Sequence, residues 1–158
     1  MLKLWLARHG EAVDPDSRTS DFERTLTATG RRQLAGTTQW LVARVQRPDL
    51  ILHSPLVRAR QTAETIAAEI GDDVVVRVEH ALAPGIEIGN LLNQVSDSMS
   101  QVVVCVGHQP DMSHCLAQII GGGSIQFLPG TIAGVEFGNS ITRGNGRLCW
   151  LTDPRWFP

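Results

Sequence analysis

The strongest structural constraint in this sequence is a continuous apolar run at Val102–Val106, with no polar residue inside it. A strand that has water on one face alternates apolar and polar side chains, whereas an uninterrupted apolar strand is typical of burial on both faces. Such burial arises when helices cover both sides of a parallel sheet. The run therefore predicts a central parallel sheet between two helical layers.

Short apolar segments alternate with helical patterns along the rest of the chain. We predict five further strands, at Leu2–Ala7, Asp49–His53, Val74–Val78, Thr131–Phe137 and Arg147–Leu151. The turn-prone segment Gly144–Gly146 joins the last two, which we expect to form an antiparallel pair. The predicted fold is an α/β three-layer αβα sandwich, with a mostly parallel sheet of about six strands and one antiparallel C-terminal strand pair.

Four helices are expected between these strands. The first begins after Thr27 as N-cap, and the second opens with Ser54 as N-cap and Pro55 as first helical residue. A shorter helix covers Ile86–Val95, and the last ends near Ile120. Trp40 and Trp150 are expected in the core, as large aromatic residues usually are.

The composition limits the class of protein. The chain has 158 residues, the size of one domain, so we expect residues 1–158 to form a single domain. Hydrophobic residues make up 42% and charged residues 19%, which argues against intrinsic disorder. The net charge of −2 provides no strong field that would attract nucleic acid or an anionic membrane.

The cysteines and the first residues indicate the compartment. Cys105, Cys115 and Cys149 are widely spaced, so we expect reduced thiols rather than a disulfide framework. The apolar start of the chain is too short for a signal-peptide core, and no stretch approaches the roughly 18 apolar residues of a membrane span. We predict a cytoplasmic, soluble monomer.

Three predicted strands end directly before His9, Ser54 and His108. Arg8 precedes the first histidine, and Arg58 lies one turn into the helix that follows Ser54. Ligands of parallel α/β sheets bind beyond the carboxyl ends of the strands. We therefore expect both histidines and both arginines to gather at one edge of the sheet.

Two guanidinium groups and two imidazoles at one edge are suited to phosphoryl transfer. Guanidinium groups hold a tetrahedral dianion, a neutral imidazole can attack phosphorus, and a second, protonated imidazole can add a further hydrogen bond. This chemistry requires no metal or other cofactor. A metal site made of His9, His53, His108 and Glu11 is the alternative, but the spacings of common zinc sites are missing and two arginines would repel a dication.

The motifs at this edge resemble those of a known family. Leu6–Glu11 resembles the RHG motif of the histidine phosphatase superfamily, the phosphoglycerate mutase-like proteins. Ser54–Ala63 is similar to its S-P-x-x-R-A-x-Q-T motif, and Val106–Pro110 to its strand ending in G-H-x-P. Within the superfamily, the short length, Arg24–Thr27 and the ending Cys149–Pro154 are most similar to the SixA group of phosphohistidine phosphatases.

The resemblance implies a phosphoglycerate mutase-like fold and removal of phosphate from a phosphohistidine on a partner protein, such as a phosphotransfer domain. It implies that His9 is the nucleophile and that Arg8, Arg58 and His108 complete the phosphate pocket. Arg24 is a further candidate at the border of that pocket.

Members of the superfamily that act on small molecules carry an acidic residue between the second and third motifs, which protonates the leaving oxygen. The candidates here are Glu79 and Glu87, and Glu87 can equally be a solvated carboxylate at the start of a helix. The imidazole of phosphohistidine is a less demanding leaving group. Two alternatives therefore stay open: a phosphatase for a small phosphate monoester, with Glu87 as general acid, and a non-catalytic phosphate- or phosphohistidine-binding module.

Overall fold

The structure, a computed structural model, describes all 158 residues. The strands are β1 (Leu2–Arg8), β2 (Leu50–His53), β3 (Val75–Val78), β4 (Val102–Gly107), β5 (Ile132–Phe137) and β6 (Gly146–Leu151). The helices are α1 (Ala28–Val42), α2 (Val57–Ile70), α3 (Ile88–Asp97) and α4 (Asp111–Ile120). None of the helices is long and apolar enough to span a membrane.

All six strands form one sheet in the order β3-β2-β4-β1-β5-β6. The strands β3, β2, β4 and β1 are parallel, and β5 pairs antiparallel with both β1 and β6. Every residue of β4 is buried, as its continuous apolar run predicts. The predicted mostly parallel αβα sandwich with an antiparallel C-terminal pair is confirmed.

Helices cover the two faces of the sheet in pairs. Alternate residues of β1 point to opposite sides, so Leu4 and Leu6 pack with α3 and α4 whereas Trp5 and Ala7 pack with α1 and α2. Each side has its own apolar cluster, of 20 buried residues under α3 and α4 and of 12 under α1 and α2. The sheet is therefore enclosed on both faces, which leaves its carboxyl edge as the place where polar side chains can meet.

The start of α1 is fixed against the loop that follows β1. Thr27 is its N-cap, as predicted, and the Thr27 side chain accepts a hydrogen bond from Gly30 N at 3.0 Å. A Cβ on Gly30 would lie 2.4 Å from the carbonyl oxygen of Glu11. Only glycine permits this approach of helix and loop.

The predicted start of the second helix is wrong. α2 begins at Val57 with Leu56 as N-cap, and no side chain caps it. Ser54 does accept a bond from Leu56 N at 3.3 Å, but its hydroxyl also lies 2.7 Å from Nε2 of His108. The Ser54 hydroxyl, which the local sequence pattern assigned to a helix cap, thus contacts His108, a residue distant in the sequence.

Trp40 is more exposed than expected. It is 39% exposed, and the guanidinium of Arg44 lies 4.5 Å from the centre of its ring, which shields it from one side. The strand β3 is also exposed along its whole length, as the edge strand of the sheet. For Trp40, sequence hydrophobicity alone overestimates burial.

Candidate active site

The carboxyl ends of β1 and β4 and the first turn of α2 bring four predicted residues together: Arg8, His9, Arg58 and His108. The two imidazole rings lie 5.2 Å apart between centroids, and Nε of Arg58 lies 3.2 Å from Nε2 of His9. His9, Arg58 and His108 are all buried. The convergence follows from the parallel topology, since each strand delivers its next residue to the same edge.

The ring of His9 has a defined tautomer. Its Nδ1 lies 2.8 Å from the carbonyl oxygen of Gly10, which can only accept, so Nδ1 carries the hydrogen. The lone pair is then on Nε2, where Arg58 Nε donates to it. Burial, together with the positive charges of Arg58 and Arg8, lowers the pKa of His9 to about 3. The imidazole is therefore neutral, and its unprotonated nitrogen, Nε2, faces Arg58.

Backbone contacts fix His9 from several sides. Its N–H donates to Gly107 O at 3.0 Å, and its carbonyl accepts from Gly130 N at 3.0 Å. Thr62 joins the loop after β1 to α2, since its hydroxyl accepts from Gly10 N at 3.0 Å and donates to Arg58 O at 2.7 Å. The histidine thus lies on a support built from β4, α2 and the segment before β5.

His108 is held through Ser54. The Ser54 hydroxyl accepts from Leu56 N, so its own hydrogen is free to be donated to His108 Nε2, and Nδ1 of His108 then carries the ring hydrogen. This buried Nδ1 has no hydrogen-bond partner in the protein. Burial, with the charge of Arg58, lowers the pKa of His108 to about 4. The structure thus favours a neutral ring over the protonated imidazole expected from the sequence, and the neutral ring still donates one hydrogen bond.

Arg8 lies partly buried beside these groups. Its Nη1 donates to the carbonyl oxygen of Phe127 at 2.8 Å, a contact that the sequence could not indicate because it joins residues 119 positions apart. Its Nε is buried and has no partner in the protein. Arg8 Nε and His108 Nδ1 are thus two buried nitrogens without a partner in the protein.

Asp21 is the site residue that sequence reasoning missed. Its carboxylate contacts Arg58 Nη2 at 3.1 Å through Oδ2 and Arg24 Nη1 at 3.0 Å through Oδ1. Arg24 therefore reaches the pocket through Asp21, and it also donates from Nε to Val13 O at 2.8 Å. One signal in the sequence could have indicated the Asp21–Arg24 pair: an acid and a base three residues apart, which the structure places at one 3-10 turn.

The candidate general acids have other partners. Glu87 is the N-cap of α3, where it accepts from Gly89 N and Asn90 N, and it pairs with Arg143. These backbone N–H groups, with Arg143, lower the pKa of Glu87, whereas a general acid needs a raised one. Glu79 caps the turn at His80–Leu82 by accepting from Ala81 N. The contacts favour a capping role for both over an acid role.

Of the four residues of the metal alternative, His9 and His108 meet at the site, whereas Glu11 and His53 have other partners. Glu11 accepts from the Thr27 hydroxyl at 2.7 Å, and Nδ1 of His53 contacts its neighbour's carbonyl, Ser54 O, at 2.8 Å. The structure has no group of three or more His, Cys, Asp or Glu side chains placed to hold a metal ion.

Taken together, the site places the neutral imidazole of His9 against the donor Nε of Arg58, next to the His108 ring and near the charge of Arg8. Arg8 Nε and His108 Nδ1 are two further buried nitrogens without a partner in the protein. Guanidinium and imidazole N–H donors fit the oxygens of a tetrahedral anion.

Comparisons with known proteins agree with this geometry. The family described as the histidine phosphatase superfamily (branch 1) matches residues 4–101. An uncharacterized protein of Picosynechococcus sp. is 32% identical over 98% of each chain. The phosphohistidine phosphatase SixA of Escherichia coli is 26% identical, over 97% of this chain and 94% of its own.

A solved structure of the protein histidine phosphatase SixA complexed with tungstate superposes with a TM-score of 0.86 at 25% identity, over 99% of this chain and 100% of the other. The superposition extends over the sheet, both helical layers and the edge where the two histidines meet. The sequence motifs, the strand order and these matches agree, and the chain belongs to the histidine phosphatase superfamily, with a SixA-type fold.

Proposed function

We propose that this protein is a metal-independent phosphatase that removes phosphate from a phosphohistidine on a partner protein, through a covalent phospho-His9 intermediate. One observation carries the proposal: the neutral Nε2 of His9 accepts from Arg58 beside the His108 ring, while the two candidate general acids, Glu79 and Glu87, are held as caps. The similarity to the SixA phosphohistidine phosphatase supports the choice of substrate.

In the first step, Nε2 of His9 attacks phosphorus while the P–N bond of the substrate breaks. Arg8, Arg58 and His108 bind the phosphoryl oxygens and stabilise the charge that develops on them. The leaving imidazole departs neutral when its other nitrogen already carries a hydrogen, so no general acid is needed. The electron pair of the broken P–N bond stays on that imidazole.

In the second step, water attacks the phosphorus of phospho-His9 and the bond to Nε2 breaks. Because Nδ1 keeps its hydrogen, the phosphorylated ring carries a positive charge, and the Gly10 carbonyl 2.8 Å away stabilises that charge. A positively charged imidazole is a good leaving group. The ring recovers its lone pair, and phosphate and a proton are released.

The direct test is a His9→Ala variant incubated with a phosphohistidine-bearing phosphotransfer domain. We expect turnover to fall by about 10³-fold or more and no acid-labile phosphoenzyme to form. His114→Ala is the matched control, because His114 is an exposed histidine of α4, and it should keep wild-type turnover. Full activity of His9→Ala would reject the mechanism.

The monoester alternative is separated by substrate choice. Wild type and Glu87→Gln are compared on a sugar phosphate, a nucleotide and the phosphohistidine domain. We expect phosphate release from the domain alone and the same rate in both proteins, because Glu87 caps a helix. Efficient monoester turnover that is lost in Glu87→Gln would favour the alternative, and phosphohistidine binding without any phosphate release would favour a non-catalytic module.

A further inference from the structure

A single carboxylate bridges two arginines at the pocket. Asp21 Oδ1 contacts Arg24 Nη1 at 3.0 Å, and Asp21 Oδ2 contacts Arg58 Nη2 at 3.1 Å. The backbone carbonyl of the same residue accepts from Arg58 Nη1 at 2.6 Å. Asp21 therefore accepts hydrogen bonds from Arg58 with two oxygen atoms, its backbone carbonyl oxygen and Oδ2.

Arg58 is a buried cation with one ion-pair partner. Its side chain is 7% exposed, and Asp21 is the only acid with which it forms a salt bridge. A buried guanidinium without a carboxylate partner is costly, because burial removes its hydration. Asp21 itself is 62% exposed, so the free energy of the pair comes chiefly from satisfying Arg58.

The contacts divide the nitrogens of the Arg58 guanidinium between two residues. A guanidinium is planar and has five N–H donors in a fixed fork. Asp21 accepts from the two terminal nitrogens, Nη1 and Nη2. The third nitrogen, Nε, donates to His9 Nε2 at 3.2 Å.

We propose that Asp21 is a positioning residue. By accepting from Nη1 and Nη2 of Arg58 and bridging this arginine to Arg24, Asp21 keeps Nε of Arg58 directed at the reacting nitrogen of His9. The inference rests on the proposed function, in which a phosphoryl group on that nitrogen is bound by Arg58. Asp21 leaves Nε of Arg58 free, so it orients the arginine without competing for that donor.

The charge state of Asp21 agrees with this role. Hydrogen bonds from Arg24 and Arg58 lower the pKa of Asp21, so it is ionised at neutral pH and bridges as a carboxylate. An ionised aspartate cannot donate a proton to a leaving group, which separates Asp21 from a general acid.

The experiment compares Asp21→Asn, Asp21→Glu and the control Asp14→Asn, which removes an exposed acid from the same segment. Steady-state dephosphorylation of a phosphohistidine domain gives kcat and KM. We expect Asp21→Asn to lose about 10- to 100-fold in kcat, since small misplacements of a binding group cost this much. Asp21→Glu should recover part of the loss, and Asp14→Asn should equal wild type. A kcat for Asp21→Asn within about twofold of wild type, or an unchanged kcat with a lowered KM, would overturn the proposal.

A second readout does not depend on the substrate. In ¹⁵N-histidine NMR, the groups that face His9 are Arg8, Arg58, His108 and the Gly10 carbonyl. If Asp21 positions Arg58, its loss lets the guanidinium turn away and the pKa of His9 rises. If Asp21 acts only as a nearby negative charge, its loss lowers the pKa of His9, and that result would overturn the proposal. This readout needs no substrate, so it applies even if the wild type does not dephosphorylate phosphohistidine and the proposed function has failed.

Discussion

The two helical layers differ in what they bury against the sheet. The cluster under α3 and α4 consists of apolar residues and two thiols, Cys105 and Cys115. On the other side, α1 and α2 bury Thr37, Thr38, Thr62 and the charged Arg58 beside a smaller apolar cluster. The α3–α4 layer stabilises the sheet, whereas the α1–α2 layer also gives hydrogen bonds to the site.

This difference follows from which elements contact His9. Thr62 of α2 reaches the backbone after β1, and Gly30 of α1 lies against the same loop. A layer that supports a site needs polar groups at fixed positions, which limits its apolar area. We therefore expect substitutions in the α3–α4 layer to change stability alone, and substitutions in the α1–α2 layer to change activity as well.

The largest effect on stability is expected for Leu91→Ala in α3. Leu91 is fully buried in the larger cluster, so the cavity should lower the free energy of unfolding by about 2–5 kcal/mol. Urea denaturation measures this loss, and kcat/KM at a temperature where both proteins are folded should equal wild type. A reduced kcat/KM in the folded variant would contradict the expectation that the α3–α4 layer affects stability alone.

Thr62→Val in α2 should affect both properties. Valine keeps the shape but leaves the buried Gly10 N–H unpaired, at a cost of about 1–3 kcal/mol. The loop that holds His9 then shifts, and we expect a loss of about tenfold in kcat. Thr65→Val is the matched control, because its hydroxyl bonds only to Gln61 O within the helix. Equal kcat values for the two variants would contradict the supporting role of this layer.

Ser54→Ala tests the site itself. Without the Ser54 hydroxyl, His108 loses the contact that fixes its tautomer, and kcat/KM should fall about tenfold, which corresponds to about 1.4 kcal/mol. The control is Ser98→Ala, just after α3, which removes a hydroxyl that donates to Val95 O and accepts from Ser100 N, both within its own segment. The pH profile of Ser54→Ala should also change, whereas that of Ser98→Ala should match wild type.

The smallest effect is expected from pH. The pKa of His9 is lowered to about 3 and that of His108 to about 4, so both rings are neutral above pH 5. In the proposed mechanism, protonation of His9 would remove the nucleophile, so kcat/KM should show no loss from pH 8 to pH 5. Stopped-flow phosphate release measures this rate. An acid limb, a loss of kcat/KM centred near the ordinary histidine pKa of about 6.5, would show that burial does not lower the pKa of the site histidines.

The position of the site could be predicted because it depends on topology. Parallel strands deliver their following residues to one edge, so His9 and His108 meet there whatever their side-chain contacts. The same reasoning placed Arg58 near them through the start of α2. These inferences required only the strand pattern and the order of the motifs.

The contacts that orient the site could not be predicted in this way. The local pattern assigned Ser54 to a helix cap, but its hydroxyl is bound to His108, which is 54 positions away. Asp21 lies in a polar segment without periodicity, and nothing local indicates that it reaches Arg58 across 37 positions. Long-range hydrogen bonds of this kind depend on how loops pack on the finished sheet.

The central position of β1 has a consequence for synthesis of the protein. β1 pairs with β4 and β5, and Arg8 binds the carbonyl of Phe127, 119 residues later. At translation rates of roughly 5–20 residues per second, the nascent chain carries His9 for on the order of ten seconds before its partners leave the ribosome. The first strand can complete its pairing only after the later strands are made, so an incomplete chain contains His9 but lacks the residues that surround it.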